Sequence, residues 1–284
     1  MQFFCASIAA GLVSITISAS VIAQSDDALL ARGRYLMNGV VACGNCHIAR
    51  GPQGQPLFEQ GLSGGMRFDE APFTAIAPNI TPDQETGIGN WTNAQIARAI
   101  REGVRPDGSL IGPPMPVGFY RHISDDDLAA LIAYLKSQPP VHHVVEKSVY
   151  RMPLPANYGP PVGKVGAPPQ SDRVAYGKYL AQIGHCMECH TPRDSKGVLV
   201  ESRTGAGGQL FKGPWGVSVS SNLTSSEKGL GGWSDAQIIA AIREGVQPTG
   251  RHLMPPMAFG WYKNINDADM AALVAYLRSL PPRQ

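Results

Sequence analysis

The chain consists largely of one sequence unit that occurs twice, and this duplication limits its possible folds more than any other feature. Three segments of the first half return in the second half at an offset of 142 to 144 residues. The matching pairs are 33–47 with 177–190, 78–104 with 221–246, and 123–140 with 265–282. Because the offset changes so little, only single-residue insertions or deletions separate the halves. The fold must therefore be one that a unit of about 115 residues can form and repeat.

A proline-rich segment separates the two copies. Residues 138–170 contain eight prolines and show no apolar periodicity. This composition favours an extended, polyproline-like crossover that wraps the surface and holds the halves at a fixed distance. We therefore expect a first domain at 24–140, a linker at 141–170 and a second domain at 171–284.

The first residues have the composition of a secretory signal peptide. Residues 1–24 carry no charged side chain, and an apolar run extends from Ile8 to Ala23. The run is shorter than the roughly 20 residues that cross a bilayer, and we expect cleavage after Ala23 or nearby. The usual Lys or Arg near the start is missing, so an uncleaved N-terminal anchor remains the alternative. With residues 1–23 removed and no later stretch able to cross a membrane, we expect a soluble protein in the periplasm.

Helix caps and apolar spacing predict three helices in each unit. Ser124 and Asn266 each precede a segment whose apolar residues fall at positions i, i+3, i+4 and i+7. Capping boxes begin two further helices, Thr92 with Gln95 and Ser234 with Gln237. Because no convincing alternating strand is present, the predicted fold class is all-α.

Two glycines stand in the middle of the remaining predicted helices. Gly33 lies between Leu30 and Leu36, and Gly177 occupies the same place in the second half. A glycine inside a helix costs about 1 kcal/mol relative to alanine. Its presence at the same place twice predicts that another backbone crosses closely there.

The cysteines give the strongest chemical signal. Once Cys5 leaves with the signal peptide, all the remaining cysteines lie in C-x-x-C-H pentapeptides. These are Cys43 and Cys46 followed by His47, and Cys186 and Cys189 followed by His190. The pattern is typical of covalent c-type haem attachment, in which two thiols form thioethers with the haem vinyl groups. The adjacent histidine then faces the iron, so the sequence predicts two covalently bound haem c groups.

Other uses of these cysteines remain as alternatives. Two C-x-x-C pairs can bind zinc, and a single pair can serve as a thioredoxin-like redox motif. A thioredoxin-like motif is expected to follow a strand in a βαβ unit, and no such context is visible. Two disulfides would be the default for four cysteines in an exported protein, but the paired motifs favour haem.

The repeat also proposes a second iron ligand in each half. Met115 lies 12 residues after Gly103, and Met257 lies 12 residues after Gly245, each behind a Pro-Pro pair that stiffens the loop. The nearby His252 and Met254 align with Leu110 and Gly112, which cannot bind iron. Met115 and Met257 are therefore the predicted distal ligands, and ordinary packing of both methionines is the alternative.

Several neighbouring residues have matched positions but weaker signals. Trp91 and Trp233 are equally consistent with core packing and with hydrogen bonds to a haem propionate. Arg50 and its counterpart Arg193 follow each proximal histidine by three residues, where a surface position is favoured over a propionate contact. His185 aligns with an alanine and is expected on the surface.

The motifs CGNCH, PNITPDQETGIGNW, REGVRPDGS, PPMP and LAALIAYLKS, each with a counterpart in the second half, resemble the class I cytochrome c superfamily. More narrowly, the chain is similar to multihaem cytochrome subunits of membrane-associated bacterial dehydrogenases acting on alcohols, aldehydes and gluconate. The resemblance covers nearly all of the mature chain. It implies His47 and His190 as proximal ligands and Met115 and Met257 as distal ligands. Those subunits typically have three haem domains and a C-terminal membrane-associating segment, so an end at Gln284 favours a soluble dihaem carrier.

The expected role is therefore one-electron transfer and not catalysis. Ligation by His and Met leaves no open position on the iron for a substrate. Such a carrier would take electrons from a periplasmic dehydrogenase and pass them to an oxidase or another cytochrome, with membrane contact at most peripheral. The main alternative is a dedicated subunit of a dehydrogenase complex. A dihaem peroxidase or a thiosulfate dehydrogenase is less favoured, because both halves keep the methionine loop and no spare cysteine remains.

Charge distinguishes the two halves. The formal net charge of +2 provides no polybasic surface for nucleic acid. Residues 25–140 carry nine Lys and Arg against twelve Asp and Glu, whereas 171–284 carry twelve against nine. We expect the two domains to meet different partners, steered by opposite fields.

Overall fold

A computed structural model describes residues 18–213 and 215–284 and shows ten α-helices in that part of the chain, five in each half. Those of the first half are α1 (Ser18–Asn38), α2 (Gly44–His47), α3 (Asn93–Glu102), α4 (Val117–Tyr120) and α5 (Asp125–Lys136). Those of the second half are α6 (Arg173–Ile183), α7 (Cys186–His190), α8 (Asp235–Arg243), α9 (Phe259–Tyr262) and α10 (Asp267–Ser279). Most of the expected signal peptide, with Cys5, lies outside the described residues, and its cleavage after Ala23 stays a prediction.

The predicted helix starts are confirmed at the level of individual hydrogen bonds. The Gln95 backbone N–H donates to Thr92 Oγ1 at 3.2 Å, and the Thr92 backbone N–H donates to Gln95 Oε1 at 2.8 Å. Ser234 begins α8 with the same reciprocal pair. Ser124 caps α5 by accepting from the Asp127 backbone N–H at 3.2 Å. Local sequence therefore determines where these helices begin.

The two mid-helix glycines mark close helix crossings, as predicted. A Cβ atom at Gly33 in α1 would overlap the carbonyl oxygen of Ala130 in α5. A Cβ at Gly177 in α6 would overlap the carbonyl oxygen of Ala272 in α10 in the same way. In each half, the first and last helices therefore approach so closely that only glycine fits at the crossing.

The all-α prediction is correct only in part, because the mainly helical chain also has five short strands in its described residues. They are β1 (Arg67–Glu70), β2 (Phe73–Ile76), β3 (Val149–Tyr150), β4 (Leu210–Gly213) and β5 (Gly216–Val219). β1 and β2 form an antiparallel hairpin, and β4 and β5 form its counterpart. None exceeds four residues, which is too short for an alternating pattern to be recognised in the sequence.

The linker adds a strand to the first half. β3 pairs with the outer edge of β2, with Tyr150 opposite Phe73. The Tyr150 hydroxyl donates to the carbonyl oxygen of Pro113 at 3.1 Å, and the Tyr158 hydroxyl donates to that of Ile111 at 2.7 Å. This part of the linker therefore packs on the loop that precedes Met115.

The halves share one continuous apolar core. Its buried members come from both halves and include Leu36, Ile123, Leu131, Leu180, Ile238 and Met270. Polar bonds also cross between the halves, since Tyr179 and Tyr35 each bind an aspartate of the other half. The two repeated units are therefore packed against each other through a shared core and are not independent domains.

Candidate haem-binding sites

Each C-x-x-C-H motif forms a short helix directly after the first long helix of its half. Cys43 directly precedes α2 with a helical backbone, and Cys186 begins α7, so the two cysteines of each motif lie about one helical turn apart on the same face. The residue before the first cysteine has a left-handed backbone in both cases, with φ of 51° at Ala42 and 43° at His185. The chain therefore turns sharply from the long helix into the motif.

Each motif histidine is held by one ring nitrogen. Nδ1 of His47 lies 2.9 Å from the carbonyl oxygen of Pro78, and Nδ1 of His190 lies 2.7 Å from that of Ser221. A carbonyl oxygen only accepts, so Nδ1 carries the proton and Nε2 keeps its lone pair for a metal. Burial lowers the pKa of both imidazoles, and the carbonyl bond opposes this only in part. Both rings are thus kept in the neutral form that binds iron.

The four motif cysteines are partly buried and form no disulfide with one another. Burial raises the pKa of Cys43 and Cys189 to about 12, and that of Cys46 and Cys186 to about 11. Thiol–disulfide exchange requires a thiolate, which these raised pKa values disfavour. Within residues 18–213 and 215–284, no group of three or more His, Cys, Asp or Glu could hold a metal ion. The environment therefore favours neither the zinc nor the thioredoxin-like alternative.

The two methionine loops have matching geometry. Met115 and Met257 are half-buried, and Met115 packs against the core. Their carbonyl oxygens accept from the backbone N–H two residues on, at 2.9 Å and 3.1 Å. Met254 is 44% exposed and His252 is exposed. The arrangement is consistent with Met115 and Met257 as ligands, an assignment that stays a prediction.

The residues present fit covalently attached haem. Two thiols lie a helical turn apart, each histidine has an available Nε2, and a methionine loop belongs to each half. In addition, Nε of Arg50 is buried and has no hydrogen-bond partner in the described part of the chain. An orphaned guanidinium nitrogen beside a motif is suited to an anionic group such as a propionate.

The first motif also contacts the second half. A side chain at Gly44 would overlap the indole ring of Trp261, which lies on α9 just after Met257. A cavity of about 220 Å³ between these segments is lined by residues that include Asn45, Met257 and Trp261. The structure therefore brings the first haem-binding motif next to the methionine loop of the second half.

Among the polar residues around the motifs, His185 differs from the expectation drawn from the sequence, whereas Arg193 is exposed as expected. His185 is half-buried and not on the surface, with its ring 6.0 Å from that of Tyr120 and its Nδ1 3.3 Å from Glu188. The alignment of His185 with an alanine in the first half did not indicate that its side chain is partly buried. Arg50 donates to the backbone oxygen of Asn45 at 2.8 Å, and Arg193 lies 3.7 Å from Glu188 at the equivalent position. Each arginine therefore reaches back to its own motif.

Trp91 and Trp233 are partly buried and pack against the core, which fits the packing interpretation of both residues. A bond from either indole to a propionate stays a prediction. Among the described residues, no helix combines the length and the apolar character needed to span a bilayer.

Comparison with known proteins identifies the repeated unit. The sequence model of the cytochrome c family matches twice, at residues 30–139 and 174–281. The chain is 30% identical to the cytochrome c subunit of a quinone alcohol dehydrogenase from Gluconobacter oxydans, over 96% of this chain and 59% of that protein. It is 31% identical to the fructose dehydrogenase cytochrome subunit of Gluconobacter japonicus, over 89% of this chain and 53% of that protein.

A third relative is nearer in length. A dihaem c-type cytochrome of Cereibacter sphaeroides is 32% identical over 84% of this chain and 82% of that protein. The chain thus spans little more than half of the two dehydrogenase subunits but most of the dihaem cytochrome. Both matches to the family model, together with this relative, show that the chain belongs to the cytochrome c family.

Proposed function

We propose that this protein carries single electrons as the dihaem cytochrome subunit of a periplasmic dehydrogenase complex. The observation that best supports this proposal is the pair of matched C-x-x-C-H helices. In each of them, a backbone carbonyl accepts a hydrogen bond from Nδ1 of the motif histidine and so fixes its ring. Bound haem supplies reversible one-electron chemistry at its iron. The relatives named as cytochrome subunits of alcohol and fructose dehydrogenases support the choice of a dehydrogenase as electron donor.

In each half, different residues of the chain would attach the haem and coordinate its iron. In the first half, Cys43 and Cys46 would bind the haem covalently, and His47 and Met115 would hold its iron. Cys186, Cys189, His190 and Met257 take the same roles in the second half. A histidine and a methionine on each iron would leave no position for a substrate, which favours a carrier over a dihaem peroxidase.

A periplasmic location is part of the proposal. It is supported by the uncharged apolar segment at residues 1–23 and by the chemistry of the motifs, which serves c-type attachment. An oxidase or another cytochrome would accept the electrons. A freely diffusing dihaem carrier is the second candidate, because the dihaem relative from Cereibacter sphaeroides is closer in length to this chain.

Purification from the native host distinguishes the two candidates. A chromosomal C-terminal affinity tag should recover the cytochrome together with a catalytic dehydrogenase subunit in a fixed ratio that survives moderate salt. The complex should reduce the haems when the sugar or alcohol substrate of that subunit is added. Recovery of the cytochrome alone, with haems that a separately added dehydrogenase still reduces, would instead favour the free carrier.

A further inference from the structure

The two halves differ at one sheet edge. In the first half, β3 from the linker pairs with β2, and the ring of Tyr150 closes over Gly112. A Cβ at Gly112 would lie 2.5 Å from that ring and 2.9 Å from Leu154. In the second half, β5 is the counterpart of β2, and among residues 18–213 and 215–284 it pairs only with β4. No strand of the described residues covers the edge of the second half that corresponds to the one covered by the linker in the first.

Apolar side chains are exposed along this edge. Val217 and Val219 on β5 are 58% and 57% exposed, and Leu210, paired with Val219, is 66% exposed. Met254 is exposed where the first half has the covered Gly112. We call β5, its exposed valines and Met254 the open edge. An unpaired strand with apolar side chains is a surface that readily pairs with another chain.

The open edge has a different charge from its counterpart. The hairpin and the methionine loop of the second half, 209–222 and 246–258, contain Lys212, Arg251 and His252 but no acidic residue. The matching segments of the first half, 66–79 and 104–116, mix both signs and include Asp69, Glu70 and Asp107. Lys212 and Arg251 form no ion pair with the described residues. A segment that lies along the open edge therefore meets uncompensated positive charge.

We propose that the open edge binds an extended acidic segment of the electron-transfer partner by strand addition. The first half shows the geometry, since Val149 pairs with Thr74 while the neighbouring Tyr150 reaches the methionine loop at Pro113. A partner strand would pair with Val217 through its backbone and pack an apolar side chain beside Met254 and not over it, because a side chain at the equivalent Gly112 would overlap the covering ring. Its acidic side chains would meet Lys212 and Arg251, which gives the contact its specificity. That the partner exchanges electrons rests on the proposed function, whereas the strand contact does not.

A synthetic peptide tests the contact on the intact holoprotein. The probe has the sequence of residues 146–158 with the changes Lys147→Glu and Arg151→Glu, which keep the strand and add acidic groups. Hydrogen–deuterium exchange should slow at the amides of Gly216–Val219 when the peptide is added, and it should not change at Phe73–Ile76. Lys212→Glu combined with Arg251→Glu should weaken binding by about tenfold or more. Lys178→Glu, a single charge reversal away from the open edge on α6, should leave binding unchanged.

Three outcomes would overturn the proposal. The peptide could fail to protect Gly216–Val219, or it could bind the charge-reversed variant as tightly as the unaltered protein. Sedimentation velocity could also show a dimer that already protects these amides without peptide, which would make a second copy the occupant. The haem content of the same samples is measured by absorbance. This measurement tests the proposed function separately, because peptide binding at β5 requires no electron transfer.

Discussion

The Tyr35 hydroxyl donates a hydrogen bond to Asp269 at 2.7 Å, and this bond joins the first helix of one half to the last helix of the other. The equivalent tyrosine of the second half, Tyr179, donates to Asp127 of the first half at 2.6 Å. Both carboxylates are buried. Burial and the bond to its aspartate raise the pKa of each tyrosine, so the hydroxyls remain donors at physiological pH.

Tyr35→Phe and Tyr179→Phe should each destabilise the whole protein, because each leaves a buried carboxylate short of a donor. The expected loss is about 1–3 kcal/mol in the free energy of unfolding per substitution. Denaturation in guanidinium chloride, followed by far-UV circular dichroism, measures it. Tyr134→Phe is the control, since this hydroxyl makes only a 3.4 Å contact with Asn38. Equal stability of Tyr35→Phe and Tyr134→Phe would show that the bond between halves contributes little.

Gly33→Ala and Gly177→Ala should destabilise by forcing apart helices that cross at the glycine. Overpacking of this kind costs about 1–3 kcal/mol, which exceeds any gain in helix propensity from alanine. Thermal unfolding of each variant measures the effect. Gly118→Ala in α4 serves as the control, because a Cβ there meets nothing within 4 Å. If Gly33→Ala melts at the same temperature as Gly118→Ala, the close approach is not a constraint.

The number of haems can be counted by mass. Protein from a strain competent in c-type haem attachment should retain two haems after denaturation, seen as an increase of two haem masses over the polypeptide. Replacing Cys43 and Cys46 with alanine should remove one haem and leave the other. A mass equal to the bare polypeptide in the unaltered protein would eliminate the proposed site chemistry.

Met257→Ala should abolish the weak near-infrared sulfur-to-iron band of the second haem and lower its potential. The change removes a thioether ligand that favours the reduced iron. Met254→Ala should leave the band and the potential unchanged, since that side chain is exposed and aligns with a glycine. Rescue of Met257→Ala by His252 would give a bis-histidine spectrum, which differs from that of an empty position. Loss of the band in Met254→Ala alone would show that the repeat misassigns the ligand.

Much of each half could be predicted because the signals are local. The caps at Thr92 and Ser124 depend on residues three positions apart, and the repeat makes each signal appear twice. The crossing at Gly33 could be inferred because glycine has a cost in a helix that only close packing offsets. The strands could not be predicted, because an alternating pattern of apolar and polar residues cannot be recognised over only four residues.

Contacts between the halves could not be derived from the repeat. Tyr35 and Tyr179 are visibly equivalent, but equivalence does not say whether a tyrosine binds the aspartate of its own half or of the other. His185 is a similar case, since its contact with Tyr120 depends on how the halves pack. Long-range packing of this kind leaves no period or motif in a single sequence.

The exchange of tyrosine–aspartate bonds has the form of an isologous dimer interface, in which one patch meets a copy of itself. Gene duplication and fusion of a two-fold dimer would produce this arrangement, and fusion would maintain the interface at any protein concentration. Fusion also frees the two patches to diverge. Arg32 binds Asp127 at 2.8 Å and 2.9 Å, yet its counterpart is Tyr176, which lies 3.3 Å from the same guanidinium. A symmetric dimer would have the same residue at both positions, so the difference between Arg32 and Tyr176 fits divergence of the two halves within one chain.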